Sequence, residues 1–176
     1  CQRILTPNGS IWVSGTSHII YTVGSAMQGL GYKILNDISW FKINPPPNLS
    51  CRYFTHSTET ILWAAKNKDS KHYFNYDLMK KMNNNKQMLS LWSIKAPGPQ
   101  EKIYGKHPTQ KPIELLNRIV LASTRTGDII LDPFTGSSTT GVAAVKEKRQ
   151  FIGIELDEAY LKTSIKRLKD AFKETV

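Results

Sequence analysis

The segment Ile129-Ile130-Leu131-Asp132-Pro133-Phe134-Thr135-Gly136-Ser137-Ser138-Thr139-Thr140-Gly141 limits what this chain can fold into more than any other. A strand-sized apolar run meets a glycine- and serine-rich turn, and a helix-compatible stretch follows over residues 139–147. A second apolar run at 151–154 comes next, then an amphipathic pattern from Glu158 onward. Strands alternating with helices predict an α/β fold with a doubly wound, mostly parallel sheet, in which residues 128–131 form a fully buried strand. Ligands of such sheets bind at the carboxyl ends of the strands, where this turn lies.

The residues at that position suit a zwitterion joined to a nucleoside. Gly136 lets the backbone approach a ligand, Asp132 offers a carboxylate to an amine, and the helix N-terminus favours a negative group. About 20 residues on, Glu155 ends the second strand, where a carboxylate accepts hydrogen bonds from both ribose hydroxyls. A phosphate loop is excluded because no lysine follows the turn, and a dinucleotide fingerprint is excluded because G-x-G-x-x-G is absent. The competing reading makes Gly136 a plain strand-to-helix turn and Glu155 a helix cap.

Upstream, residues 10–14 are β-rich, 17–30 fit a helix and 32–41 alternate toward β, which predicts a β-α-β unit. Asn44-Pro45-Pro46-Pro47-Asn48 must then be a loop, since three successive prolines have fixed φ and no donors. Residues 58–65 form a third strand candidate. The polar stretch 66–100 reads as an insertion on the sheet domain, and Pro112 opens a helix with Leu115, Leu116, Ile119 and Val120 at helical spacing.

With 176 residues, 40% hydrophobic and 10% aromatic, the chain is one ordinary folded domain rather than a disordered segment. The longest apolar runs, 11–13 and 61–65, are far too short to cross a bilayer, and nothing resembles a signal peptide, so no membrane partner and a cytoplasmic location are expected. Cys1 and Cys51 lie in no metal-ligand spacing, so no metal site is expected. A formal charge of +10 points to a polyanionic partner such as nucleic acid, with a merely soluble basic surface as the alternative.

Two segments together carry a resemblance. Asp132-Pro133-Phe134-x-Gly136-Ser137-x-Thr139-Thr140 resembles the cofactor motif of DNA amino-methyltransferases, and His107-Pro108-Thr109-Gln110-Lys111-Pro112 resembles the segment preceding it in their permuted β group. The likeness extends over Gly9-Ser10-Ile11-Trp12-Val13, Asn44-Pro45-x-Pro47-Asn48, Arg52-Tyr53-Phe54 and His56-x-x-Glu59-Thr60. It is greatest toward Dpn-type adenine-N6 enzymes, which modify GATC, with Hinf-type enzymes for GANTC next. One departure is Ser138, where the family usually has a second glycine.

The resemblance implies a Rossmann-like fold and one methyltransferase domain over residues 1–176, with a target-recognition insertion within 42–100 and a cofactor-binding half at 107–176. It implies S-adenosylmethionine as cofactor, lined by Thr109, Gln110, Lys111, Asp132, Pro133, Phe134, Gly136, Ser137, Thr139, Thr140 and Glu155. The reaction would place a methyl group on the N6 of a flipped-out adenine in DNA, within a restriction-modification system. A cognate endonuclease and a homodimer are the further expected partners.

Adenine N6 is a poor nucleophile, and the family holds it with Asp/Asn-Pro-Pro-Tyr/Phe. No such tetrapeptide occurs: Asn44-Pro45-Pro46-Pro47 ends without a ring to stack on the base. The catalytic motif is therefore expected upstream of Cys1, with no catalytic residue within the chain, which alone would be inactive. Lys42, Asn48, Arg52 and His56, flanking the proline loop, are candidate DNA contacts, although His56 also suits a structural role. Cytosine-N4 methylation and a catalytically dead DNA-binding module remain alternatives.

Overall fold

The computed structural model describes residues 1–175, which divide into two compact units, one over residues 1–95 and one from residue 96 onward. The first contains β1 (Ser10–Gly15), α1 (Ile20–Gly29), β2 (Lys33–Phe41), β3 (Thr58–Ala65), α2 (Tyr76–Met82) and β4 (Leu91–Ser93). The second contains a short 3-10 helix (Pro99–Lys102), α3 (Ile113–Ser123), β5 (Ile129–Asp132), α4 (Thr139–Lys146), β6 (Gln150–Gly153) and α5 (Glu158–Lys173).

In the first unit the strands lie in the order β1-β3-β2-β4. β1 and β2 flank a helix, as the alternation predicts, but β3 lies between them and runs antiparallel to both, so the sheet is mixed. The central position of β3 explains its composition: Ile61, Leu62, Trp63, Ala64 and Ala65 are all buried, a continuous apolar run with covering on both faces. Leu62 and Ala64 join Ile20 and Met27 of α1 and Tyr32 in one core cluster.

α1 ends in a Schellman motif. The Gly31 and Tyr32 amides donate to the carbonyls of Gln28 (2.9 Å) and Met27 (3.0 Å), and Gly31 takes the left-handed backbone (φ +82°) that this cap requires. Tyr32 and Met27 supply the hydrophobic contact that accompanies such a cap. The stretch 66–100, expected as an insertion, returns to the sheet: β4 pairs in parallel with β2, and Trp92 is buried there.

The opposite face of β3 is aromatic. Trp12 and Trp63 are cross-strand partners stacked at 4.8 Å, and His72 meets the Trp63 ring edge-on at 5.3 Å.

In the second unit β5 and β6 pair in parallel, Asp132 opposite Gly153, and α4 packs against both strands and against α3 and α5. α4 is buried almost throughout, and Val142 and Val145 cluster with Ala171 of α5. The Asp157 carboxylate caps α5 by accepting from the Ala159 (2.8 Å) and Tyr160 (3.0 Å) amides. The expected burial of residues 128–131 on both faces is corrected. α4 covers one face, whereas Ile129 is 64% and Leu131 37% exposed, beside exposed Ile152 and Ile154. No helix among the described residues is long and apolar enough to cross a membrane.

Burial among the aromatics, reinforced by the Lys33 ammonium, holds the His72 imidazole below its ordinary pKa. A histidine with a depressed folded pKa contributes stability above its unfolded value, near 6.5, and loses it as the pH falls below that value. All four tryptophans lie in the first unit, so tryptophan fluorescence reports on it alone. The fluorescence-detected unfolding midpoint is expected to fall as the pH drops below about 6.5. The slope should be shallower in His72→Phe, and an identical slope would remove His72 from the linkage.

Candidate functional site

The turn after β5 is built from its own hydrogen bonds. Asp132 Oδ1 accepts from the Phe134 amide at 3.1 Å and Oδ2 from Thr140 Oγ1 at 2.7 Å, so this carboxylate ties the start of the turn to the first turn of α4. The β5–β6 ladder continues past the strands: the Ile154 amide donates to Asp132 O and the Thr135 amide to Ile154 O, both at 3.0 Å. The chain then reverses through Gly136, at φ +53°. A Cβ there would stand 3.0 Å from His107 Nε2, so both backbone and neighbour favour a glycine.

Ser138 explains the departure in the motif. It occupies the left-handed region (φ 56°, ψ 42°) as the cap of α4, the backbone state for which a glycine is the ordinary residue. Its side chain is buried and shares a 2.8 Å hydrogen bond with Thr135 Oγ1, which offsets part of the backbone cost.

Glu155 closes the turn from the β6 side. Its Oε2 accepts from the Gly136 amide at 2.7 Å and its Oε1 from the Asp157 amide at 2.9 Å. The amides of Asp157, Gly136 and Leu156, with the nearby His107, hold its carboxyl below the usual range against the opposing effect of partial burial. Glu155 is thus an anion fixed beside the left-handed glycine, its remaining lone pairs suited to hydroxyl donors.

The segment preceding α3 reaches the same turn. The buried Gln110 accepts from Ser137 Oγ at 3.1 Å and donates to Glu101 O at 2.7 Å. The His107 ring lies over Gly136 and meets Tyr160 edge-on at 4.3 Å, and Thr109 donates its amide to His107 Nδ1 at 3.3 Å. Of the residues predicted to line a pocket, Gln110, Ser137 and Thr139 are buried, while Lys111, Asp132, Pro133, Thr140 and Glu155 are half-buried. Thr109 is exposed, and Phe134 is 87% exposed, an aromatic ring standing clear beside the turn.

Sequence reasoning missed Ser164 and Arg167 of α5. Ser164 Oγ donates to Gly136 O at 2.8 Å, and Arg167 Nη1 donates to Ser137 O at 2.6 Å. The signal was present: both fall on the inward stripe of α5, where an arginine is out of place.

The loop between β2 and β3 holds the four candidate nucleic-acid contacts, and it divides them. Lys42 pairs with the buried Glu59 at 2.7 Å and lies over the Trp40 ring at 5.2 Å. Asn48 is engaged within the loop: Oδ1 accepts from the Ser50 amide (3.1 Å) and Oγ (2.7 Å), and Nδ2 donates to Tyr53 O (2.6 Å). Arg52 is exposed, and no described residue hydrogen-bonds or ion-pairs with it. The exposed His56 ring lies 5.3 Å from Tyr53 and 5.8 Å from His18. Pro46, Pro47, Asn48, Leu49, Ser50, Tyr53 and His56 line an open hollow of about 380 Å³.

The architecture is that of the Rossmann-like α/β class, with a glycine turn at the carboxyl end of a parallel strand. Residues 1–166 match the family described as DNA methylase, and the chain belongs to that family. It is 59% identical over 169 residues to the Type II methyltransferase M2.DpnII of Streptococcus pneumoniae, covering 96% of this chain and 63% of that relative. To the Type II methyltransferase M2.MboI of Moraxella bovis it is 52% identical over 182 residues, covering 99% and 67% respectively. The chain therefore spans about two thirds of the length of the curated relatives it matches. Among solved structures, the M1.HpyAVI-SAM complex superposes with a TM-score of 0.80 at 37% identity, over 93% of this chain and 76% of that one.

Ser138 gives a stability test of the turn. Ser138→Ala keeps the left-handed backbone and forfeits the Thr135 hydrogen bond, for an expected loss of about 1 kcal/mol. Ser138→Gly forfeits the same bond but relieves about 1–2 kcal/mol of backbone cost, so it should stay near the parent. Chemical denaturation followed by circular dichroism ranks them, and an alanine variant as stable as the glycine variant would remove the strain from the account.

Proposed function

We propose that the chain forms the methyl-donor-binding and DNA-contacting part of a DNA methyltransferase that uses S-adenosylmethionine and acts on the exocyclic N6 of adenine. The observation that carries this reading is the meeting of two distant segments, 107–112 and 132–141, on one left-handed glycine whose amide is held by the Glu155 carboxylate. A fixed carboxylate suits the two ribose hydroxyls of the donor, and the turn with the start of α4 suits its amino-acid end. Held there, with Glu155 at its ribose and the turn at its amino-acid end, the donor would supply an electrophilic methyl on sulfur for the adenine amine. The solved relative named as a SAM complex supports the choice of donor.

Thr109, Gln110, Lys111, Asp132, Pro133, Phe134, Gly136, Ser137, Thr139, Thr140 and Glu155 are proposed to form this pocket within a donor-binding half at 107–176. Asp132, Gln110 and Ser137 hold the turn, and the exposed Phe134 offers a face to the ligand. Residues 42–100 are proposed to contain the target-recognition region. There Arg52 and His56 meet DNA, while Asn48 shapes the loop and the Lys42–Glu59 pair anchors it. The Type II naming of the relatives supports a restriction-modification role with a cognate endonuclease, and a homodimer is part of the same proposal.

Two measurements test this. Mass spectrometry of nucleosides from DNA treated with the whole protein should reveal N6-methyladenine; N4-methylcytosine would overturn the target assignment, and no methylated product would overturn the activity. In fluorescence anisotropy, Arg52→Ala should lower the ratio of specific to nonspecific duplex affinity by about tenfold. An unchanged ratio would take base reading away from Arg52.

A further inference from the structure

Helix α5 carries a charged group where its packing calls for an apolar one. Ser164, Arg167 and Ala171 form its buried face, and Arg167 is only 8% exposed. Nη1 donates to three acceptors on the glycine turn: Ser137 O at 2.6 Å, Ser137 Oγ at 2.9 Å and Thr139 Oγ1 at 3.1 Å. One turn earlier on the same helix, Ser164 Oγ donates to Gly136 O at 2.8 Å. The carbonyls of Gly136 and Ser137 and the Thr139 hydroxyl are thus all held from α5, on both sides of the left-handed Ser138.

The network continues outward. Ser137 Oγ donates to Gln110, Gln110 donates to Glu101 O, and Glu101 Oε2 accepts from the Ile113 amide at 2.8 Å at the start of α3. Three separate stretches of chain therefore share one buried polar network centred on Ser137.

A buried guanidinium is an expensive way to stabilise a helix interface. Desolvation pushes the Arg167 pKa down, with Glu101 opposing, and Nη2 is buried with no hydrogen-bond partner among the described residues. Well-packed apolar side chains commonly serve as well as a buried charge for stability. What an apolar side chain cannot supply is a donor such as Nη1, set among three acceptors of a strained turn.

We propose that Arg167 is a positioning residue for methyl-donor binding: through Ser137 and Thr139 it holds the glycine turn in the strained shape that receives the donor. The inference rests on the reading of that turn as the S-adenosylmethionine site, and it adds a residue outside the two recognised segments. Arg167 does not touch the donor; it acts through the backbone that does. Lysine keeps a charged donor, but its ammonium stands elsewhere than the guanidinium Nη1 that meets the turn.

The test is isothermal titration of S-adenosylmethionine into the parent chain, Arg167→Met, Arg167→Lys and Arg167→Gln, far below the unfolding midpoint, with folding checked by circular dichroism. Arg167→Met is expected to bind the donor about 10- to 100-fold more weakly while folded, with Arg167→Lys between it and the parent. A merely structural arginine would lower the midpoint and leave the affinity of the folded protein unchanged, so binding by Arg167→Met within twofold of the parent overturns the inference. If Arg167→Met does not fold, Arg167→Gln, which keeps a polar side chain without the guanidinium, decides: several-fold weaker binding supports the inference and unchanged binding overturns it. A parent chain that binds no S-adenosylmethionine overturns the proposed function itself, an outcome distinct from the others.

Discussion

The hydrogen bond from the Gly136 amide to Glu155, 2.7 Å long, is the constraint on which the rest of the second unit depends. It forms only if β5 and β6 pair in parallel with Asp132 opposite Gly153, and if the chain after β5 reverses through a left-handed residue. The reversal in turn favours a residue without Cβ, because a side chain there would crowd the His107 ring. One bond thereby links the register of a sheet, the conformation of a turn and the approach of a segment almost thirty residues upstream. The same bond helps keep Glu155 ionised, so the element that shapes the turn also supplies its negative charge.

Much of this was legible in the sequence. Apolar runs and turn residues placed β5, α4, β6 and α5 to within a residue or two, because local periodicity and glycine chemistry govern those elements. The direction of β3 was not legible. Its composition announces a buried strand, but the long loop at 42–57 permits either direction, and only pairing with both β1 and β2 decides it. β4 is three residues long in a Lys- and Asn-rich stretch, and its strand character comes from pairing with β2. The exposure of Ile129 and Leu131 was equally hidden, since an apolar run does not say which of its faces is covered.

The candidate site divides along the same line. Residues that belong to a contiguous motif, from Asp132 to Thr140, could be named from sequence, whereas Ser164 and Arg167 reach the turn from a helix and leave no contiguous signature. In the loop after β2, letters that suggest DNA contacts conceal a division of labour. Asn48 spends its amide on the Ser50 and Tyr53 backbone and Lys42 its ammonium on a buried glutamate, while Arg52 and His56 stay exposed. Side-chain type alone does not distinguish a group held within its own loop from one left outward.

The central claim is that S-adenosylmethionine sits against the glycine turn and Glu155, and ultraviolet crosslinking of radiolabelled donor followed by tryptic mapping tests it most directly. Cleavage after Arg125, Lys146, Arg149 and Lys162 isolates the glycine turn in peptide 126–146 and Glu155 in peptide 150–162. The account predicts saturable label in one or both of these peptides, displaced by unlabelled donor. Saturable label confined to residues 1–95 would contradict it.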